Sequence, residues 1–522
     1  MVAKHIDIYD TTLRDGTQSE GISYSCQDKI RIAQRLDALG VAFIEGGWPG
    51  SNPKDAEFFE RAKDIQWKHA AITAFGSTRR VTCTVEDDVS LNTLIQAQTP
   101  VCTLFGKSWV LHVTEVLRTT PDINLQLIEE SAAYLKAQGK RVVYDAEHFF
   151  DGYRTDASYA LETLKAAKRG GAEVLVLCDT NGGSLPWDIE TITAHVRKEL
   201  KHPVGIHAHN DTDCAVANSI AAIRGGASHV QGTINGYGER CGNANLISVI
   251  GDLELKMAFK CLPEGKLKEL HEVSRFVTQL ANLPFNDHLP YVGRSAFAHK
   301  GGVHVAAMRR SADSYQHIDP SVVGNEMRTV VSELSGRGNV LSRAEEHGLD
   351  VDPGIEIEVL KHIKECEAAG FSFEAAEASV ALLLQRRLPA YKAPFKVMDY
   401  EVKVGKRQGI DTYAEATVKV AIGDHIEHAI ADGDGPVAAL DAALRKALGS
   451  WLPEIENIRL SDYKVRILDS TDGTSSSVRV LIDSSNSNET WSTVGASGNI
   501  IQASLRALVD GIEYGLLNAS GH

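Results

Sequence analysis

Between residues 5 and about 245 the chain repeats one rhythm: a short apolar run, a loop of Gly, Asp, Asn, Thr or Ser, then a stretch with helical spacing. The runs are "HIDIY" (5–9), "VAFIEGG" (41–47), "AAITAFG" (70–76), "PVCTLFG" (100–106), "RVVYDAE" (141–147), "EVLVLCDT" (173–180), "VGIHAHN" (204–210) and "HVQGTING" (229–236). Apolar strands alternating with helices imply parallel strands buried on both faces. Between the first two runs, Ile30, Ala33, Leu36 and Leu39 share one helical face, and Gly40 is placed to end that helix. Eight such units in roughly 250 residues fit a (β/α)8 TIM barrel. An open doubly wound sheet would need fewer strands, and no GxGxxG follows the first run.

The rhythm stops near residue 273. "RFVTQLANLPF", "SRAEEHGLDV" and "EIEVLKHIKECEAAGFSFEAAEASVALLLQRRL" read mainly as helices joined by polar loops. From about 393 the pattern changes again and repeats. "AEATVKVAIG" and "GTSSSVRVLID" alternate as strands, and each leads to a second strand, "HIEHAIADG" or "ETWSTVGAS". A helix follows in each copy, beginning at Gly435 and Gly498. The stretch "DSSNSNETW" (483–491) reads as a loop. The expected domains are thus a catalytic barrel (1–272), helical linker subdomains (273–392) and a C-terminal α+β regulatory domain of two β-β-α repeats (393–522).

Composition narrows the partners. A formal net charge of -15 argues against nucleic acid or an anionic membrane, and means that an acidic substrate needs a local cation or metal. No apolar run approaches the length of a membrane span, and the start "MVAKHIDIYD" lacks a signal-peptide core. The eight cysteines are scattered without a CxxC pair, as expected of reduced thiols in a cytoplasmic protein.

In a (β/α)8 barrel the C-terminal ends of the strands form the reactive face. The polar residues falling there include Arg14 and Asp15 after run one, Glu45 after run two and Glu147 after run five. Thr180, His207, His209 and Asn243 follow on runs six to eight. Residues two apart on a strand point the same way, so His207 and His209 can present two imidazoles to one divalent metal. Asp15 would add a carboxylate and Asn243 a neutral oxygen. An isolated HxH is as readily chance or a hydrogen-bonded cap; its place on run seven, with acids at other strand ends, favours the metal. Arg14 beside Asp15 is either a weak surface pair or, if the two side chains diverge, a planar fork offered to a carboxylate or oxyanion. Glu147 and His148 are each candidates for a general base or for a strand-end salt bridge. His299 and His304, beside glycines, suit a lid that carries an acid or base.

Taken together, "DTTLRDGTQ", "LCDTNGG", "HAHND", "GYGERCGNANL", "AFAHKGGVH" and "YQHIDPSVVG" resemble the Claisen-condensing acyltransferases of the 2-isopropylmalate, citramalate and homocitrate synthase family. The barrels of that family group with metal-dependent lyases such as hydroxymethylglutaryl-CoA lyase. The resemblance implies that Asp15, His207 and His209 bind a divalent ion (Mn, Mg, Co or Zn), with Asn243 close or ligating. It implies that Arg14 and Thr180 hold a 2-oxoacid chelated to that ion, and that Glu147 sits against the reacting centre. His304, with Tyr315 near, would come from a partner subunit of a homodimer to assist proton transfer. Acetyl-CoA is the implied co-substrate: its enolate attacks the ketone, Arg14 stabilises the alkoxide, and water cleaves the thioester. The repeated tail resembles the family's amino-acid-sensing domain.

Two departures bear on the substrate. Many relatives carry glutamate where Thr17 stands, and "IEGGWPGSNPKD" looks most like one branch of citramalate synthases. Leu104 and Tyr144, near the ends of runs four and five, would fill the space of a branched oxoacid side chain, or else pack in the barrel core. The expectation is pyruvate, giving (R)-citramalate for isoleucine synthesis, with isoleucine as feedback inhibitor. The alternatives are 2-oxoisovalerate with leucine control, a lyase acting on hydroxymethylglutaryl-CoA, and a non-catalytic amino-acid sensor.

Overall fold

The computed structural model describes residues 4–308, 310–352, 354–407, 410–468, 476–487 and 489–519. Strands β1 (Asp7–Asp10), β2 (Phe43–Gly47), β3 (Ala71–Ser77), β4 (Val101–Lys107), β5 (Arg141–Glu147), β6 (Val174–Asp179), β7 (Val204–Ala208) and β8 (His229–Gly232) close into a barrel in that order, with β1 parallel to both β2 and β8. Tyr9, Phe43, Val101, Val143, Val176 and Cys178 form an inner apolar layer. Ile8, Ile44, Cys102, Val142 and Leu175, of the opposite parity, face a much larger layer shared with the surrounding helices. Both parities are buried, which is why the strands read as continuous apolar runs.

The first helix, Cys26–Leu39, forms where the spacing predicts it. Ser25 Oγ accepts from the Asp28 amide at 3.1 Å, and the Ser25 amide donates to the Asp28 carboxylate at 3.0 Å. Gly40 ends the helix at φ 100°, where a Cβ would lie 2.2 Å from the Pro263 ring, so both conformation and space require glycine.

The chain divides into two compact units, Met1–Phe297 with Ile318–Glu326, and Ala298–His317 with Met327–His522. The loss of strand rhythm near 273 does not mark this division. Helix Leu270–Leu280 buries Leu270, Val273 and Val277 in the core of the barrel unit.

The second unit holds helices Arg337–Glu346, Ile355–Ala368 and Glu377–Gln385 ahead of the repeated tail. Each repeat is a three-stranded antiparallel sheet followed by a helix. The first comprises β9 (Lys396–Arg407), β10 (Ile410–Ile422), β11 (His425–Gly433) and helix Pro436–Leu448. The second comprises β12 (Arg459–Ile467), β13 (Val478–Ser485), β14 (Thr490–Ser497) and helix Ile500–Ala519. A leading strand, β9 or β12, thus completes each expected β-β-α copy. β12 is exposed along nearly all its length, so its sequence carries no buried face to recognise. Most of the expected loop 483–491 is strand, shared between β13 and β14, while residues 473–475 of the expected strand 473–483 lie outside the described residues. Val418, Leu440 and Leu444 from one copy share a core with Val480, Leu508 and Ile512 from the other. Among the described residues no helix is long and apolar enough to cross a membrane, and all eight cysteines are free.

Candidate active site and metal centre

A cavity of about 420 Å³ opens at the C-terminal ends of the barrel strands, reached by Arg14, Asp15, Glu147, Thr180, His207 and His209. His207 is the penultimate residue of β7 and His209 follows the strand, so the period of two aims both rings inward. Both are buried, and their Nε2 atoms lie 3.2 Å apart. Asp15 Oδ2 lies 3.2 Å from His207 Nε2. Behind His207, Nδ1 faces Gln231 Oε1 at 2.9 Å, and Gln231 Nε2 donates to Asp145 at 2.9 Å. This arrangement places the His207 proton on Nδ1 and leaves a lone pair on Nε2.

Electrostatics keep the other two donors unprotonated. Burial, and then the neighbouring His207, push His209 down to about 3. Burial acts to raise the Asp15 carboxyl, but Arg14 and the two imidazoles outweigh it and hold it below the ordinary carboxylate range. Three electron-pair donors therefore face one another, with ligand atoms all within 4.8 Å. Asn243 Oδ1 and His209 Nδ1 are also buried without a hydrogen-bond partner among the described residues. Asn243 is bridged through its backbone to His209. Such a nitrogen and oxygen set, with a carboxylate, fits a divalent cation.

Arg14 does not diverge from Asp15. The chain turns immediately after β1, so strand alternation no longer separates neighbours. Arg14 Nη1 and Nη2 donate to the two Asp15 oxygens at 2.9 and 3.1 Å, Nε donates to Glu45, and the guanidinium lies 3.8 Å over the Phe75 ring. Glu45, fully buried, also accepts from Tyr9 Oη at 2.6 Å, and burial first raises its carboxyl above the ordinary range. Thr17 Oγ1 donates to the Arg14 carbonyl at 2.6 Å, fixing the turn from below.

Glu147 is ion-paired with Lys107, its register partner on β4. Thr180 reaches the cavity, and its Oγ1 accepts from the His148 amide at 2.9 Å. Leu104 and Tyr144, expected to narrow the pocket, instead lie fully buried in the outer layer between strands and helices. Their parity is opposite to that of Glu147 and Asp145. The cavity wall at this height is Trp48, Phe75 and Phe105, with Phe75 and Phe105 stacked at 5.3 Å. His304 and Tyr315 lie on the second unit, their rings stacked at 4.2 Å. The residues missed from sequence are Trp48, Phe75, Phe105, Asp145 and Gln231. Asp145 had one signal: it stands two before Glu147, hence on the same face.

Residues 5–277 match an HMGL-like family model, residues 291–370 a homocitrate synthase post-HMGL domain-like model, and residues 374–516 a LeuA allosteric (dimerisation) domain model. The chain is 52% identical to an (R)-citramalate synthase of Geobacter sulfurreducens, covering 98% of this chain and 97% of that one. It is 50% identical to an (R)-citramalate synthase of Aquifex aeolicus, covering 99% and 98%. A probable 2-isopropylmalate synthase of Methanopyrus kandleri is 30% identical over 97% of each chain. At this identity over nearly its whole length, the chain belongs to the citramalate synthase branch of the 2-isopropylmalate, citramalate and homocitrate synthase family.

Proposed function

We propose that the chain condenses acetyl-CoA with pyruvate and hydrolyses the thioester, giving (R)-citramalate and free CoA. The observation that carries this reading is the convergence of Asp15, His207 and His209 beside the Arg14 guanidinium, in a chain half identical to (R)-citramalate synthases. Asp15, His207 and His209, with Asn243 adjacent, would hold a divalent ion, which would supply Lewis acidity at the oxoacid keto group. Mn, Mg, Co and Zn all suit the set.

Arg14 lies against the developing oxyanion, and its orientation is set beforehand by Glu45, Asp15 and the Phe75 ring. The Thr180 hydroxyl orients the oxoacid carboxylate. Glu147 sits against the reacting carbon. His304 and Tyr315 are the proposed proton-transfer pair. A proton leaves the acetyl methyl group, the resulting carbon nucleophile forms the new bond to the keto carbon, and water then displaces CoA. The aromatic wall of Trp48, Phe75 and Phe105 favours a methyl group over a branched side chain. Thiol release measured with pyruvate and with 2-oxoisovalerate tests this: kcat/KM is expected to favour pyruvate by on the order of 10²-fold. A preference for 2-oxoisovalerate overturns it. His304→Ala is expected to lower kcat while leaving metal affinity intact, and an unchanged kcat removes His304 from the reaction.

The match of residues 374–516 to an allosteric dimerisation domain supports a homodimer under feedback control. Isoleucine is the proposed effector. Inhibition by isoleucine but not by leucine at equal concentration is the expected result.

A further inference from the structure

The barrel interior contains a polar chain that the proposed reaction leaves without a task. Gln231 on β8 is fully buried and spans the interior from His207 on β7 to Asp145 on β5. Its register partner on β1 is Tyr9, a member of the inner apolar layer, where an apolar side chain would be the ordinary occupant. A buried amide here is tolerated only because both of its ends are satisfied.

The amide meets a different partner at each end. Gln231 presents Nε2 to Asp145, donating to its Oδ1 at 2.9 Å. Oε1 is thereby turned to His207, and a carbonyl oxygen can only accept. His207 must then donate from Nδ1, which commits the Nε2 lone pair to the side where Asp15 and His209 converge.

We infer that Gln231 and Asp145 are positioning residues: together they fix the tautomer and ring orientation of His207 so that Nε2 is preset as a metal ligand. A partner behind a ligating histidine is commonly a carboxylate or backbone carbonyl in direct contact. Here the carboxylate is set one amide further away. His207 thus takes its orientation from a neutral amide rather than from direct contact with a carboxylate. The inference rests on the proposed metal site, and its test separates the two.

The test uses the full-length protein freed of metal and titrated with Mn²⁺ alone, free Mn²⁺ being read by electron paramagnetic resonance. The wild type is expected to bind Mn²⁺, and Gln231→Leu to raise its Kd about 10–100-fold. Gln231→Glu is expected to restore the wild-type Kd to within a few-fold. The Glu and Asp145 would share one proton, leaving an oxygen to accept from His207. In metal-free protein carrying ¹⁵N-histidine, the ring shifts should report a single Nδ1–H tautomer for His207. Asp145→Asn, which is isosteric and lets the amide face either way, should turn that signal into a mixture of tautomers. A purely structural role would lower thermal stability and move neither readout. A folded Gln231→Leu with wild-type Kd overturns the relay but leaves the metal site standing, as does a single tautomer in Asp145→Asn. Failure of the wild type to bind Mn²⁺ overturns both.

Discussion

Arg14 is held at three points at once: by Asp15 through both terminal nitrogens, by Glu45 through Nε, and by the Phe75 face. Lysine offers one nitrogen and no plane, so the charge would survive but its direction would not. Arg14→Lys is therefore expected to lower kcat on the order of 10²–10³-fold, as loss of one preorganised donor does, while the Mn²⁺ Kd moves much less. Equal losses in both measurements would reduce Arg14 to a partner of Asp15. At this scale the convergence of His207 and His209 was legible from sequence, because residues two apart at a strand end share a face. Leu104 and Tyr144 were not. In a run buried on both faces, hydropathy does not say which residues look inward. Parity counted from Glu147 does: Asp145 shares its face and Tyr144 cannot.

Among the elements, the helix Val89–Gln96 depends on the side chain that caps it. Asp88 accepts from the Leu91 amide at 3.0 Å and from the Arg80 amide at 2.9 Å, tying the helix start to the turn before it. Burial acts to raise this carboxyl, but the backbone donors outweigh it and hold it below the ordinary aspartate value of 3.8. A folded-state value below the unfolded one means that the stabilisation is present at neutral pH and is lost as pH falls through the folded value. Asp88→Ala is expected to cost about 1–2 kcal/mol near pH 7, and the difference from wild type should begin to narrow only below about pH 4. Urea midpoints of both proteins across pH 3–7 provide the check; a cost that stays constant with pH would place it in packing rather than charge. The eight runs and the first helix were readable because period and caps agree. β12 was not, since an exposed strand has no apolar face to reveal it.

At the scale of the whole molecule, the converging donors and the repeated tail fall in different compact units. Asp15, His207 and His209 all belong to the first compact unit, whereas the repeated sheets and their shared core belong to the second. Two units with separate cores should unfold in two calorimetric transitions. A ligand raises the transition of the unit that binds it by an amount set by RT ln(1 + [L]/Kd), about 2.7 kcal/mol at a hundredfold excess over Kd. Mn²⁺ is therefore expected to move one transition and isoleucine the other. His207→Ala should abolish the first shift and spare the second, which assigns the transitions without truncating the chain. Coupling between sites is reciprocal, so an effector that weakens pyruvate binding must itself bind less tightly when pyruvate is present. Titrating isoleucine by calorimetry with and without saturating pyruvate measures that coupling. An unchanged isoleucine Kd would mean that any inhibition acts on turnover rather than on oxoacid affinity. A single transition moved equally by both ligands would mean that the two units unfold as one.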